Sequence, residues 1–171
     1  MRNVLLISLI AVPIYSQAPP LEDGYVRPTT VKSGLAPGMV VKQAASTGRT
    51  FQITMRRGDE VVSGLTEFAE KNQVKLAHLT AIGAFDSAVL GWFDPEKRAY
   101  KKIAINGEVE IISLTGNIMM QNGKPNLHVH CAVGLPDGSV KAGHLIEGHI
   151  SLTLQAFVVD SDIPAEAKSS Q

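Results

Sequence analysis

The stretch that decides the fold is PNLHVHCAVGLPDGSVKAGHL, residues 125–145. Its first part, Leu127 to Val133, is typical of a strand, in which side chains two positions apart share a face. His128 and His130 are therefore predicted to lie together on one face, with Cys131 on the other. Asp137-Gly138 is a strong turn signal, and a chain that folds back there brings His144 towards the pair.

Three neutral imidazoles that meet in this way suit a divalent metal. Zinc is the first choice, and iron, nickel or copper is also compatible. A three-histidine set leaves a fourth position for water, an outside ligand or another protein group. The pair His128 and His130 alone is equally consistent with exposed or half-buried histidines that bind nothing.

Other reactive or aromatic side chains carry weaker interpretations. Glu147 is the candidate acid/base group or partner of a metal ligand, although a solvated charge near a glycine-containing turn is the simpler interpretation. His78 lies in an apolar strand and is predicted to be structural. Trp92 and Phe93 follow a glycine in a strand, so core packing is the first expectation and an interface role the second.

Composition indicates a single packed domain. The chain has 171 residues, of which 44% are hydrophobic and 19% are charged. The formal net charge is zero, which argues against a protein whose main task is to bind nucleic acid. Cys131 is the only cysteine, so no intrachain disulfide can form.

The first 18 residues are predicted to be a signal peptide. A short basic start that contains Arg2 precedes an apolar run from Val4 to Ile14, and the small residues Ser16 and Ala18 follow. The run is too short for a transmembrane helix, which needs about 20 apolar residues. We therefore expect an exported protein, periplasmic or extracellular, with no membrane span in the mature chain.

Three further segments follow the signal peptide. Residues 19–48 are rich in proline and glycine and are predicted to form an extended arm. Regular structure is predicted to begin near Thr50 and to form one domain over residues 49–160. Residues 161–171 are predicted to be a flexible tail.

Apolar periodicity within residues 49–160 predicts one helix among many strands. The helix covers about residues 60–72, with Asp59 as its N-cap. Strands are predicted at 51–55, at 74–82 ending at Gly83, and at 87–93, 100–105, 108–120, 127–133 and 150–159. The turn 94–97 and the loop 121–126 connect neighbouring strands. This pattern predicts an α+β fold with a largely antiparallel sheet.

Several stretches taken together resemble the PPC family (plants-and-prokaryotes conserved domain, DUF296). They are FQITMRRGDE (51–60), IGAF (82–85), VLGWFDP (89–95), EIISLTGNI (110–118) and the stretch 125–145. The resemblance covers about residues 50–159. It implies a compact domain around an antiparallel sheet, assembled as a homotrimer. It also implies a metal held by the histidines that match the family pattern, which are His128, His130 and His144.

Plant members of that family carry an AT-hook, an Arg-Gly-Arg-Pro type element that binds the DNA minor groove, and relatives inherit a DNA-binding label. This chain has no such stretch. With the neutral charge and the predicted export, its absence argues against a DNA partner.

Three functions are therefore weighed. The first is a trimeric metal-binding protein of the cell envelope with a binding or scaffold role and a small ligand at the metal. The second is a hydrolase or lyase that uses metal-activated water, with Glu147 as the proton carrier. The third is DNA binding. A cupin-type dioxygenase is not supported, because Gly134 and Leu135 stand where a cupin has its glutamate.

Overall fold

The computed structural model describes residues 20–27, 33–44 and 48–160. The predicted signal peptide and the predicted tail lie outside these residues. The elements are β1 (Tyr25–Val26), β2 (Val40–Ala44), β3 (Thr50–Arg56), α1 (Val61–Lys71), β4 (Leu76–Asp94), β5 (Ala99–Gln121), β6 (Lys124–Gly134) and β7 (Val140–Asp160).

All strand pairs are antiparallel, and the strands follow the order β1-β5-β4-β7-β3-β2. Strand β6 lies off this path and pairs with both β5 and β7. Strands β4, β5, β6 and β7 therefore hydrogen-bond in a closed cycle. The predicted α+β class, with one helix against a largely antiparallel sheet, is confirmed.

Helix α1 supplies one wall of the core. Its buried side chains include Leu65 and Phe68, and the ring of Phe68 meets that of Phe51 on β3 edge to face, with centroids 5.0 Å apart. The helix contacts β6 and β7. The inner face of the strands that carry the histidine stretch is therefore packed against a rigid element.

The helix begins one residue later than predicted. Glu60, and not Asp59, is the N-cap, and its buried carboxylate accepts hydrogen bonds from the amides of Val62 and Ser63. Asp59 instead accepts from the amides of Arg56 and Gly38, at 2.8 and 2.9 Å. The shorter side chain closes the turn after β3, while the longer one reaches the open end of the helix.

Gly83 does not end a strand, which corrects the prediction. Strand β4 continues through it to Asp94, with register shifts on either side of Phe85. A β-carbon at Gly83 would lie 2.4 Å from the carbonyl oxygen of Thr153. This glycine is present because the β7 backbone passes too close for any side chain.

Other strands are also longer than predicted. Strand β5 joins two predicted strands, and the predicted loop 121–126 is a tight turn at Asn122-Gly123, both of which have positive φ. Strand β7 begins at Val140 rather than Ile150. Regular structure also begins before Thr50, because β2 pairs with β3. Each extension depends on pairing with another strand, which the periodicity of a single segment does not show.

Trp92 and Phe93 do not pack in the core. They lie near the tip of the β4–β5 hairpin, where Trp92 is 58% exposed and Phe93 is 45% exposed. The expectation of core packing is therefore wrong for both. Within the described ranges, no helix is long and apolar enough to cross a membrane.

Candidate metal site

The alternation predicted for the histidine stretch is confirmed on β6. Val129 and Cys131 are buried, while His128 and His130 are exposed. Burial of the apolar side chains therefore holds both imidazoles on the outer face of the strand.

His144 reaches the pair through the β6–β7 hairpin. The turn is held by the Asp137 carboxylate, which accepts hydrogen bonds from the amide and the hydroxyl of Ser139 at 2.9 and 2.6 Å. These bonds lower the pKa of Asp137 below its usual value. Gly138 has a φ of 81°, which favours glycine. The returning strand makes His144 the direct register partner of His130.

The three rings converge. Their centroids are 5.2 Å apart for His128 and His130, 5.4 Å for His128 and His144, and 5.5 Å for His130 and His144. One nitrogen from each ring lies within 4.8 Å of the other two. The Nε2 atoms of His128 and His130 are 3.2 Å apart. The structure therefore brings together all three histidines that the sequence singled out.

The surroundings favour neutral imidazoles, the form that binds metal. Burial, together with smaller contributions from the charges of His128 and His130, lowers the pKa of His144 to about 4. The pKa of His130 is also lowered, first by burial and then by His128. At neutral pH, both rings therefore keep a lone pair available for a metal ion.

His144 carries an unpartnered nitrogen. In the described ranges, its Nδ1 is the only buried side-chain nitrogen or oxygen that has no hydrogen-bond partner. Buried polar groups are almost always satisfied, so an orphan of this kind indicates a missing ligand or ion. The three histidines thus fit a metal ion, because their nitrogens are suitable donors, lie close together and include one buried nitrogen without a hydrogen-bond partner.

One aromatic residue that contacts the site, Tyr100, was not identified from the sequence. The ring of Tyr100 stacks on the His144 imidazole, with centroids 4.6 Å apart and planes 7° apart. Phe93 meets Tyr100 edge to face at 5.3 Å. The sequence placed Tyr100 at the start of a returning hairpin strand, and no local signal relates it to a histidine on another strand.

The other candidates lie outside the converging group. Glu147 is exposed, and its carboxylate is 2.8 Å from Nε2 of His149. His78 is exposed on β4, opposite Asn117. Cys131 is buried on the other face of β6, as predicted, and burial raises its pKa to about 12.

Known proteins share this architecture. The solved structure of a plant- and prokaryote-conserved protein from Pyrococcus horikoshii is 29% identical, with a TM-score of 0.63, and the match covers 71% of this chain and 81% of that one. A metal-containing protein from Archaeoglobus fulgidus is 35% identical, with a TM-score of 0.62 and coverage of 71% and 84%.

A third structure, from Bacteroides thetaiotaomicron, is of a protein to which DNA binding is attributed. It is 28% identical, with a TM-score of 0.65, and the match covers 72% of this chain and 85% of that one. No curated protein matches the chain. Residues 42–162 match the Plants and Prokaryotes Conserved (PCC) domain. The resemblance inferred from the sequence motifs is thereby confirmed, and the chain belongs to the Plants and Prokaryotes Conserved domain family.

Proposed function

We propose that this protein binds a divalent metal ion, with zinc as the preferred ion, through His128, His130 and His144. The observation that carries the proposal is the convergence of one nitrogen from each ring within 4.8 Å. The unpartnered Nδ1 of His144 supports it. The metal-containing relative from Archaeoglobus fulgidus adds support from the family.

Zinc is preferred because its sites combine imidazole donors with tetrahedral geometry. Three protein ligands leave one position for water or an outside oxygen donor, and a bound ion would polarise that donor. His128 and His130 are exposed, so a small ligand has access to the site from solvent.

The test is metal analysis of the purified full chain, after chelation and reconstitution with zinc, iron, nickel or copper. Wild-type protein should hold about one ion per chain, as expected for one three-ligand site. His130→Ala should hold almost none. His78→Ala is the matched control, because it removes an exposed strand histidine outside the group and should retain the ion. Wild-type protein without metal, or His130→Ala with full metal content, would contradict the proposal.

We assign the site a binding or scaffold role in the cell envelope rather than a reaction. Within the described residues, the converging group contains no carboxylate. Glu147, the candidate for acid/base chemistry in a hydrolase or lyase, is engaged by His149. The envelope location comes from the predicted signal peptide. It is tested by the mass of the chain recovered from the periplasmic fraction, where an uncleaved N-terminus would contradict it.

We also propose that the chain assembles with copies of itself as a homotrimer. Large apolar side chains lie exposed on β4, β5 and β7, namely Ile82, Ile112, Leu152 and Phe157. They form one patch, because Ile82 and Ile112 line one surface depression with Leu152 and another with Phe157. Ile82 is 63% exposed and Leu152 is 62% exposed, which is costly unless another surface covers them.

Sedimentation measurements test this assembly. Leu152→Glu should shift the protein to monomer, whereas Val140→Glu, at another exposed apolar position, should not. A monomeric wild-type protein would contradict the proposal.

A further inference from the structure

Metal-binding histidines are usually oriented by a hydrogen bond from the second ring nitrogen to a carboxylate, a carbonyl or water. That bond fixes the ring plane before the metal arrives. His144 departs from this arrangement, because neither of its ring nitrogens has a hydrogen-bond partner among residues 20–27, 33–44 and 48–160, and Nδ1 is also buried. Whichever nitrogen binds the metal, something other than a hydrogen bond at the other nitrogen must therefore set the plane of this ring.

Among the described residues, Tyr100 has the one ring, other than those of His128 and His130, that lies close to the His144 imidazole. The two planes are almost parallel, 7° apart, with centroids 4.6 Å apart. By contrast, the planes of His130 and His144 are 85° apart. The near-parallel stack restricts rotation of the His144 ring out of its plane. The contact with the His130 ring, which is almost perpendicular, does not restrict that rotation in the same way.

The backbone leaves a space for this stack. Gly91 on β4 is the direct register partner of His144, and it has no side chain to lie beside the imidazole. A β-carbon at Gly91 would lie 2.9 Å from Cδ1 of Tyr100 and 2.8 Å from Cδ1 of Ile146. Tyr100 thus covers the glycine from the neighbouring strand, as aromatic side chains do over glycines in sheets.

Phe93 in turn supports Tyr100. The two are register partners on β4 and β5, and their rings meet edge to face at 5.3 Å. This contact gives a role to Phe93, whose exposure is otherwise unexplained. The chain of contacts runs from Phe93 through Tyr100 to His144.

We infer that Tyr100 is a positioning residue of the histidine site: its stacked ring holds His144 in the plane at which the three nitrogens converge, in place of the usual hydrogen bond. The inference rests on the proposed metal-binding function. Because the contribution comes from the ring face, the phenol hydroxyl is dispensable.

The test is titration of the full chain with Co²⁺, followed by visible absorption and by competition with a chromophoric chelator. Tyr100→Leu should bind Co²⁺ about 10- to 100-fold more weakly, the usual cost of removing an orienting neighbour. Its Co²⁺ spectrum should also change, because the ligand geometry relaxes. Tyr100→Phe keeps the stack and should restore both affinity and spectrum.

The matched control is Tyr25→Leu. Tyr25 is also half-buried, but its ring contacts Lys97 and not a histidine. It should bind Co²⁺ as the wild type does. Thermal unfolding of every variant in EDTA establishes that the apo forms are folded.

Each outcome decides something. If folded Tyr100→Leu matches the wild type in affinity and spectrum while His130→Ala binds nothing, the inference is wrong and the metal site stands. If wild-type protein binds no metal ion, the proposed function fails and the inference fails with it. If Tyr100→Leu does not fold, Phe93→Leu replaces it: weakened binding supports the inference, and unchanged binding overturns it.

Discussion

His130 on β6 and His144 on β7 are register partners in an antiparallel ladder, with ring centroids 5.5 Å apart. A metal ion bound by both histidines would link the two strands of the hairpin. With His128 as the third ligand, β6 would supply two of the ligands and β7 one. Binding at this site should therefore stabilise the hairpin as well as capture an ion.

Zinc should raise the unfolding temperature of the wild-type protein. An ion that binds only the folded state adds about 2.7 kcal/mol when its free concentration is 100 times Kd. Differential scanning calorimetry with zinc and with EDTA measures the shift. His130→Ala should show none, and an equal shift in that variant would locate the binding elsewhere.

Loss of the Glu60 carboxylate should destabilise the protein. Glu60→Ala leaves the amides of Val62, Ser63 and Gly148 without their acceptor, and the bonds to Val62 and Gly148 measure 3.0 and 3.1 Å. A buried unsatisfied donor costs about 1–3 kcal/mol, which urea denaturation resolves. Glu67→Ala, which removes only an ion pair with Lys71 on the helix surface, should cost less. Equal losses in the two variants would contradict the capping role.

Gly116→Ala should weaken both the fold and the metal site. A β-carbon there would lie 2.2 Å from the carbonyl oxygen of His128 and 2.7 Å from Cα of Val129. Strand β6 must shift to accept it, at a cost of about 1–3 kcal/mol that is typical of overpacking. Urea denaturation and zinc affinity measure the two effects. Asn117→Ala, which changes the next, exposed residue, is the control. If Gly116→Ala had the stability and the zinc affinity of the wild type, the close approach of the two strands would be refuted.

The Cys131 thiol should be unreactive in the folded protein. It is 3% exposed, and burial raises its pKa to about 12, so almost no thiolate exists near neutral pH. Labelling with a chromogenic disulfide should be slow in buffer and fast in denaturant. Ser113→Cys adds an exposed thiol on β5 that should react at once. Rapid labelling of the wild type would mean that the strand opens readily.

The metal-free protein should lose stability as the solution becomes acidic. The pKa of His144 is about 4 in the folded protein, against an ordinary value of 6.5, so the unfolded chain binds more protons between these values. The contribution of neutral His144 to the free energy of unfolding is therefore fully present above pH 6.5, and it is lost as the pH drops towards 4. Urea denaturation in EDTA measures this slope, which His144→Asn should reduce. An unchanged slope in His144→Asn would show that other groups are responsible.

Much of the fold follows from local periodicity. Alternation placed strands in β3 and β6, and apolar spacing placed the helix to within a residue at each end. The turn at Asp137-Gly138 was identified correctly, and the turn predicted at 94–97 lies one residue later, at 95–98. These features need no knowledge of a partner strand, because each depends on which side of a single element is buried.

Strand lengths were harder to predict. Gly83 was taken as a strand end because glycine is rare in strands, yet here it marks a close approach to the backbone at Thr153. Strand β2 lies in a segment whose composition favours an extended arm, and its pairing with β3 makes it part of the sheet. In both cases, pairing with another strand overrides the local preference.

The sequence by itself determined that His128 and His130 share a face, that Cys131 does not, and that the chain carries the motifs of its family, because two-residue alternation and motif spacing are local properties. Only the tertiary structure decided that His144 pairs with His130, that its Nδ1 has no partner among the described residues, and that Tyr100 stacks on its ring. The first relationship depends on the register of the β6–β7 hairpin, and the stack depends on β5 and β7, which are distant along the chain. That register is set by the burial of whole strands and the close approach of glycines rather than by any single residue.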